Sequence, residues 1–472
     1  MHRRTITIVG GGFSGSLLAI QLARLSGGQR FGCDVHLVEP RPVPGPGLAY
    51  TARRPEYLLN VRSQFLSAFP DQPDHFLNWL RITKADSCTN AFCSRQSYGR
   101  YLQQLVGQVL EWPSPNGIRC FWHAQQATAV QPNGQHATVQ LADGTTLVSD
   151  YVVLALGNFP PPPPARSDLR YLSHPSYHGN PWAQGALRTI EPDDSVLLIG
   201  SGLTAIDILM GLRADGHRAP ITVVSGHGRW PAAHRLHPEE VYPSFYLQEL
   251  AGLPRVVDVL RVVRRHVRAA QAQGFDWRSV VDSLRPHLGC MWGTWPLEEQ
   301  ARFVRHLAGI WSVVRHRSPP QNAAALEHMQ ATGQVRLVRG RVNQILPAGP
   351  NELTVHLRTR AGQPAPLLTA RHVVACTGPL LDYSRINEDP VPALRAAGHL
   401  CIDPLHLGIK TDEHGALCNA EGEASEVLFT LGPSRRPAYF ESTAVPELRQ
   451  QAVALAQELG RRLLARQVAT AH

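Results

Sequence analysis

Near the start of the chain a β-branched run, TITIV (Thr5 to Val9), gives way to glycines and then to SLLAIQLARL, whose apolar residues recur at helical spacing. A second short apolar run, DVHLVE, follows. The order is strand, turn, helix, strand, and the turn carries GxGxxG at Gly10, Gly12 and Gly15. Few local sequences constrain a fold as tightly. The first glycine makes the tight turn, the second lets backbone approach a pyrophosphate, and the third lets helix and strand pack closely, while open amides at the helix N-terminus receive the phosphate charge. The same order returns at Ser195 to Ile199, Gly200 to Ala205, Ile206 to Leu212 and Ile221 to Val224, with GxGxxA at Gly200, Gly202 and Ala205. Two βαβ units in one chain predict an α/β protein with two Rossmann-like dinucleotide-binding domains.

The remaining segments fall around these units. At ~100 to 200 residues per domain, 472 residues fit two to four domains. Residues 1–165 are expected to form the first part of one nucleotide domain, and residues 190–375 the second, with a helical insertion at 245–318. Residues 376–472 then return to the first domain and end in a helix from Val445 to Ala465. Between the motifs, Gln126 to Leu156 alternates apolar and polar residues around turn signals, which predicts an antiparallel meander ending in YVVLALG (Tyr151 to Gly157). Pro160 to Pro164 can only be an extended linker. From Leu253 to Arg315 the periodicity is helical; strand signals resume at Val335 to Val342 and Leu353 to Leu357 and close in HVVACTG (His372 to Gly378).

Composition excludes several classes. The longest candidate membrane span, SVLLIGSGLTAIDILMGL, is cut by Gly200, Gly202 and Asp207, so no membrane association is expected. The net charge of +9 is almost entirely arginine, lysine standing only at Lys84 and Lys410, which favours anionic partners or a solvated basic surface. These arginines are scattered and form no basic stripe with aromatics, so no nucleic acid is expected. Eight cysteines show neither CxxC pairs nor zinc-ligand spacing; Cys88 and Cys93, five apart, lack the context of a redox disulfide and are expected to be ordinary thiols. With the first strand beginning at Thr5 there is no room for a cleaved signal peptide, and a reducing cytoplasm is the expected location.

Cofactor type follows from the strand ends. Glu39 closes the second strand 24 residues after Gly15, where a carboxylate can accept hydrogen bonds from both ribose hydroxyls and repel a 2′-phosphate, admitting FAD or NAD. The corresponding strand of the second motif ends at Ser225, followed by Arg229 and no acid, which suits NADPH, although Arg229 reads equally as a surface residue. The two buried runs into small-residue turns, at Gly157 and at Thr377 and Gly378, either let backbone pass close to a cofactor or are plain strand ends.

Several further motifs carry a resemblance: PGPGLAY (Pro44 to Tyr50), LLNVR (Leu58 to Arg62), FPDQPDHFLNWL (Phe69 to Leu80), GSGLT at the second turn, VRHRSP (Val314 to Pro319), and LGPSRR with ESTAVPELR near the end. Together they resemble the FAD/NAD(P)-binding family that contains bacterial FAD-dependent urate hydroxylase and L-aspartate N-monooxygenase. The resemblance implies FAD at the first motif, NADPH or NADH at the second, and a monooxygenase that forms a flavin C4a-hydroperoxide from dioxygen. It implies a small anionic substrate, with urate to 5-hydroxyisourate favoured; the alternatives are an N-hydroxylase of an amino acid or amine and an NAD(P)H-dependent flavin reductase without oxygen transfer. Asn60 and Gly432 join the cofactor contacts on this basis. One departure is Pro433 after Gly432, where many flavoproteins carry aspartate. For the substrate, Arg315 and Arg317 are the candidates, since a guanidinium fork suits a flat anion, with His316 as a proton donor or base; Arg62 and Arg435 or Arg436 are lesser candidates at the flavin edge. Arg315 to Arg317 also read as a solvated helix end, and His316 as a structural histidine.

Overall fold

The computed structural model describes residues 3–25, 32–51, 54–83, 92–111, 114–237, 240–358 and 367–469. They divide into two units, the first comprising Met1–Arg53, Val61–Phe159 and Leu381–His472, the second Arg54–Asn60 and Pro160–Leu380. The change of unit after Phe159 thus coincides with the proline run, and Arg54–Asn60 is an excursion that the sequence did not signal. That excursion is tied within the second unit by Arg54, whose guanidinium meets Asp215 at 2.8 and 2.6 Å.

The chain begins with strands β1 (Arg4–Val9), β2 (Cys33–Val38), β3 (Arg119–His123), β4 (Ala127–Asn133), β5 (His136–Leu141), β6 (Thr146–Ser149) and β7 (Tyr151–Leu154). Its first helices are α1 (Phe13–Ala23), the one-turn α2 (Gly47–Tyr50), α3 (His75–Thr83) and α4 (Arg95–Glu111). In the second unit come β8 (Tyr177–His178), β9 (Val196–Ile199), α5 (Leu203–Ala214) and β10 (Ile221–Ser225). A helical insertion follows, with α6 (Val256–Ala272), α7 (Trp277–Ser283), α8 (Leu288–Thr294), α9 (Leu297–His306) and α10 (Ala308–Arg315). After it stand α11 (Pro320–Ala331), β11 (Val335–Arg339), β12 (Arg341–Gly349), β13 (Glu352–Arg358), β14 (Leu367–Ala370) and β15 (His372–Ala375). The return to the first unit brings α12 (Val391–Ala396), β16 (Ala416–Cys418), β17 (Ala424–Thr430), α13 (Arg436–Tyr439) and α14 (Val445–Ala469).

Each unit is a parallel sheet with a small antiparallel one beside it. In the first unit the order is β16-β17-β7-β1-β2-β3, parallel except for edge strand β16, with β4-β5-β6 apart. All four residues of β7 are buried, as expected of a strand covered on both faces. The meander expected through Leu156 therefore stops at Ser149. Asp150 makes the switch: its carboxylate accepts from Thr5 N at 2.8 Å and pairs with Arg4 at 3.0 Å, drawing the next strand alongside β1.

The second unit orders its parallel strands β11-β10-β9-β15-β8 and sets β12-β13-β14 beside them. One core joins the two sheets, with Leu197, Ile199, Val224 and Val373 packed with Ile345, Leu353 and Val355. The single strand expected from Val335 to Val342 is two, broken at Gly340, where an added Cβ would stand 3.0 Å from Leu357 Cδ1. The last helix runs past Ala465 to Ala469. No helix among the described residues is long and apolar enough to cross a membrane.

Candidate functional site

In the first unit the glycine turn is closed by backbone. Gly10 has φ +104°, and a Cβ there would fall on the Ala155 carbonyl oxygen, just past β7. A Cβ at Gly15 would fall on the Gly10 carbonyl oxygen and stand 3.0 Å from Ile8 Cγ2. Gly12 is the N-cap of α1, with no side chain capping it and no acid in the first turn. The helix therefore opens with backbone amides available to an anion, and the crowding leaves no room for side chains where a pyrophosphate would lie. The PGPG motif covers this turn: Gly45 N donates to Gly11 O at 2.8 Å, and Gly47 Cα lies 3.2 Å from where a Gly12 Cβ would be.

Glu39, 2% exposed, faces the same turn. Its Oε2 accepts from Gly11 N at 2.9 Å, and its two oxygens hold Arg41 Nε at 2.8 Å and Nη2 at 2.9 Å. The expected ribose acid is thus braced by a basic partner, Arg41, that was not foreseen although it stands two residues on. Gly157 (φ +69°) has nothing within 4 Å of an added Cβ, so conformation alone calls for glycine there. Gly432 (φ +94°) lies against the start of α1, its Cβ position 2.9 Å from Ser14 Oγ. Pro433 does not leave this turn unsupported: Gly432 N donates to Gln451 Oε1 at 3.0 Å, and Gly432 O accepts from Ser442 Oγ at 2.5 Å.

The second unit repeats the construction. Gly200 has φ +110°, and its Cβ would fall on the Cys376 carbonyl oxygen after β15. Gly202 caps α5 without a side-chain bond or an acid in the first turn, and Ala205 is fully buried in that helix. Burial pushes the Cys376 thiol far up, so it stays protonated beside the turn. Thr377 is exposed and Gly378 has φ +83°. Ser225 is buried with its carbonyl accepting from Gly340 N at 3.0 Å. Arg229 is exposed, and its backbone oxygen is held by Ser201 Oγ at 2.7 Å.

The substrate candidates do not all converge. Arg317 is 3% exposed and makes four hydrogen bonds inside the insertion, two to Asp282 at 2.9 and 2.8 Å and others to Val314 O and Arg278 O. It serves as an internal tie between α7 and the end of α10. Arg315 is buried at the end of α10 and His316 is its half-buried C-cap. Arg62, in the first unit, lies over the Phe92 ring at 5.1 Å, and burial lowers its pKa. Arg435 is likewise an interior group, 2% exposed, donating to Asp412 O and Glu413 O and lying over Tyr439, while Arg436 lies over Phe440. Asn60, expected in the flavin domain, falls in the second unit, its carbonyl 2.9 Å from His234 Nε2. Cys88 lies outside the described residues; Cys93 is buried.

Residues 7–159 match the model of a family described as FAD-NAD(P)-binding. No curated protein sequence matches the chain. Solved structures do. The ornithine N-hydroxylase of Kutzneria sp. 744, in a complex with reduced FAD, NADP+ and L-ornithine, is 13% identical with a TM-score of 0.63, over 98% of this chain and 100% of that one. The FAD-bound cadaverine monooxygenase of Erwinia amylovora is 14% identical at TM-score 0.63, over 97% and 94%. An L-lysine 6-monooxygenase of Pseudomonas syringae is 15% identical at TM-score 0.57, over 98% and 99%. The fold of this chain is thus shared with these proteins over nearly its whole length.

Proposed function

We propose that the chain is an FAD-dependent, NAD(P)H-consuming monooxygenase that hydroxylates the nitrogen of a small amine or amino acid. The observation that carries this reading is the doubled glycine turn, each copy opening on a helix N-terminus without side-chain cap or acid. Three neighbours spanning nearly the whole chain are named for ornithine, cadaverine and lysine, and none of these is urate, which moves the preference from ring carbon to nitrogen.

Gly10, Gly12, Gly15 and Glu39 would hold the adenine half of FAD, with Gly157 and Gly432 toward the flavin. Gly200, Gly202, Ala205, Ser225, Thr377 and Gly378 would hold the nicotinamide coenzyme. When bound, the two supply hydride transfer and oxygen activation, which leaves the protein the work of binding, orientation and water exclusion. An amine must be neutral for its nitrogen lone pair to take up oxygen, and His316 is the candidate to accept its proton. Arg315 or Arg62 would pair with a substrate carboxylate, and Arg317 would position the end of α10 through Asp282.

Purified protein tests this. It should carry flavin, and NAD(P)H oxidation should rise with ornithine, lysine or cadaverine while hydroxylamine product accumulates and peroxide does not. Urate consumption with no response to amines would overturn the nitrogen assignment. Reduction of an electron acceptor without oxygenation of any compound would overturn the monooxygenase.

A further inference from the structure

Four arginines gather at one corner of the second unit. Arg229 follows β10, Arg339 ends β11, Arg341 opens β12 and Arg358 ends β13, and all four are exposed. Arg339 stands opposite Ser225 in the β10–β11 ladder, and Arg341 stands opposite Arg358 in the β12–β13 ladder. Because Gly340 N donates to Ser225 O at 3.0 Å, the two arginines flanking Gly340 are held to the end of β10. The glycines after that strand let them lie close: a Cβ at Gly228 would stand 3.0 Å from Arg339 Cβ, and one at Gly226 would stand 3.5 Å from Arg341 Cγ and 3.6 Å from its Nε.

Elsewhere in this unit exposed Arg170 and Arg218 are neutralised by Asp168 and Asp193, while Arg188, Arg213 and Arg336, among the described residues, are exposed without an ion pair, so what sets the corner apart is the clustering of its arginines. Among the described residues none of the four at the corner has an ion pair with a carboxylate. Like charges directly opposite in an antiparallel pair repel, so Arg341 and Arg358 face each other at a cost that an anion would remove. A dinucleotide with its pyrophosphate at Gly202 extends its adenosine ribose toward the end of β10. The anion that can reach Ser225 is then a phosphomonoester on the ribose 2′ oxygen, for which forked guanidiniums are the complementary group.

We infer that Arg339 and Arg341, assisted by Arg229, bind the 2′-phosphate of NADPH and make this unit select NADPH over NADH. The inference rests on the proposed reading that the second unit takes a nicotinamide dinucleotide. It moves the selectivity from the residue just after β10 to the next strand.

The test uses the full-length, FAD-loaded protein and two readouts, calorimetric binding of 2′,5′-ADP against 5′-AMP and the rate of flavin bleaching by NADPH against NADH. The double variant R339A/R341A should weaken 2′,5′-ADP and NADPH by about 10- to 100-fold, the loss of charge-assisted bonds to one phosphate, with 5′-AMP and NADH changed by less than about twofold. The single variants R339Q and R341Q, which keep much of each stem, should each show part of that loss, and R218A, away from the corner, none. Wild-type protein that prefers NADH, or a double variant that loses both nucleotides equally, overturns the inference and leaves the two-coenzyme reading standing. Wild-type protein that binds neither nucleotide overturns both.

Discussion

In the first unit a Cβ at Gly10 would land on the carbonyl of Ala155, and in the second a Cβ at Gly200 would land on that of Cys376. Each of those carbonyls is followed two residues later by a glycine with positive φ, Gly157 and Gly378. The two turns then diverge at the third motif position and at the strand end. Gly15 has no space for a Cβ because the Gly10 carbonyl oxygen fills it, whereas Ala205 carries its methyl fully buried. Glu39 is locked by Gly11 and Arg41, whereas Ser225 leaves its corner to arginines. The shared part is what a pyrophosphate requires of any chain, and the divergent part is what distinguishes one adenosine from another.

The comparison breaks most visibly at Gly15. Gly15→Ala should cost about 3 kcal/mol or more and abolish flavin retention, because the methyl meets backbone on one side and Ile8 and Ala155 on the other. Thermal unfolding and flavin content measured together would show it, and a yellow variant of normal stability would disprove the steric account. Glu39→Ala comes next. Leaving Gly11 N and Arg41 without their acceptor should cost about 1–3 kcal/mol and weaken flavin binding in an apoprotein titration. Flavin affinity unchanged in that titration would remove Glu39 from the site.

Acid should separate the units. The second holds a buried relay in which His178 Nε2 lies 3.1 Å from His372 Nδ1, and His372 Nε2 lies 3.1 Å from Asp194, itself paired with Arg371. Desolvation, and then the neighbouring His372, push His178 down from 6.5 to about 4. Between those values the unfolded chain binds the extra proton, so this contribution is complete above the unfolded value and is lost as pH falls toward the folded one, amounting to about 3 kcal/mol. The first unit's pair, His36 with His123 at 2.8 Å, is also lowered by burial but is more open to water. Denaturant unfolding followed against pH should show the second unit weakening more steeply, and His178→Gln should flatten that slope. Equal slopes in both proteins would exclude the relay as the cause. The smallest effect is expected from Ala205→Gly, about 1 kcal/mol from helix propensity, with nicotinamide affinity retained in calorimetry. A large loss of affinity there would mean that the two turns are less alike than their backbones.

Local patterns exposed much of this architecture. The motif glycines stand where strand, turn and helix were expected, and at Gly10, Gly15 and Gly200 a backbone carbonyl occupies the place a Cβ would take. Glu39 was legible by its position at a strand end, yet Arg41 was not, since nothing in a local pattern says which neighbour will fold back onto a carboxylate. Arg317 looked like a ligand for an anion because ArgHisArg before two prolines is a charged helix end; its anion is Asp282, supplied by a helix far back in the chain. Asn60 and Arg62 form one motif in the sequence and fall in different units, and Arg54, in the same excursion as Asn60, pairs with Asp215.

By sequence alone the chain determined that it builds two strand–glycine–helix–strand units and that an acid ends one while none ends the other. Those properties depend on neighbouring residues and on the steric limits of a turn. Which arginines stand clear of carboxylates, which are consumed as internal ties, and the excursion of Arg54–Asn60 into the second unit were decided only by tertiary structure. Charge pairing depends on distances between residues far apart in the chain, and these exist only once the strands have taken their register.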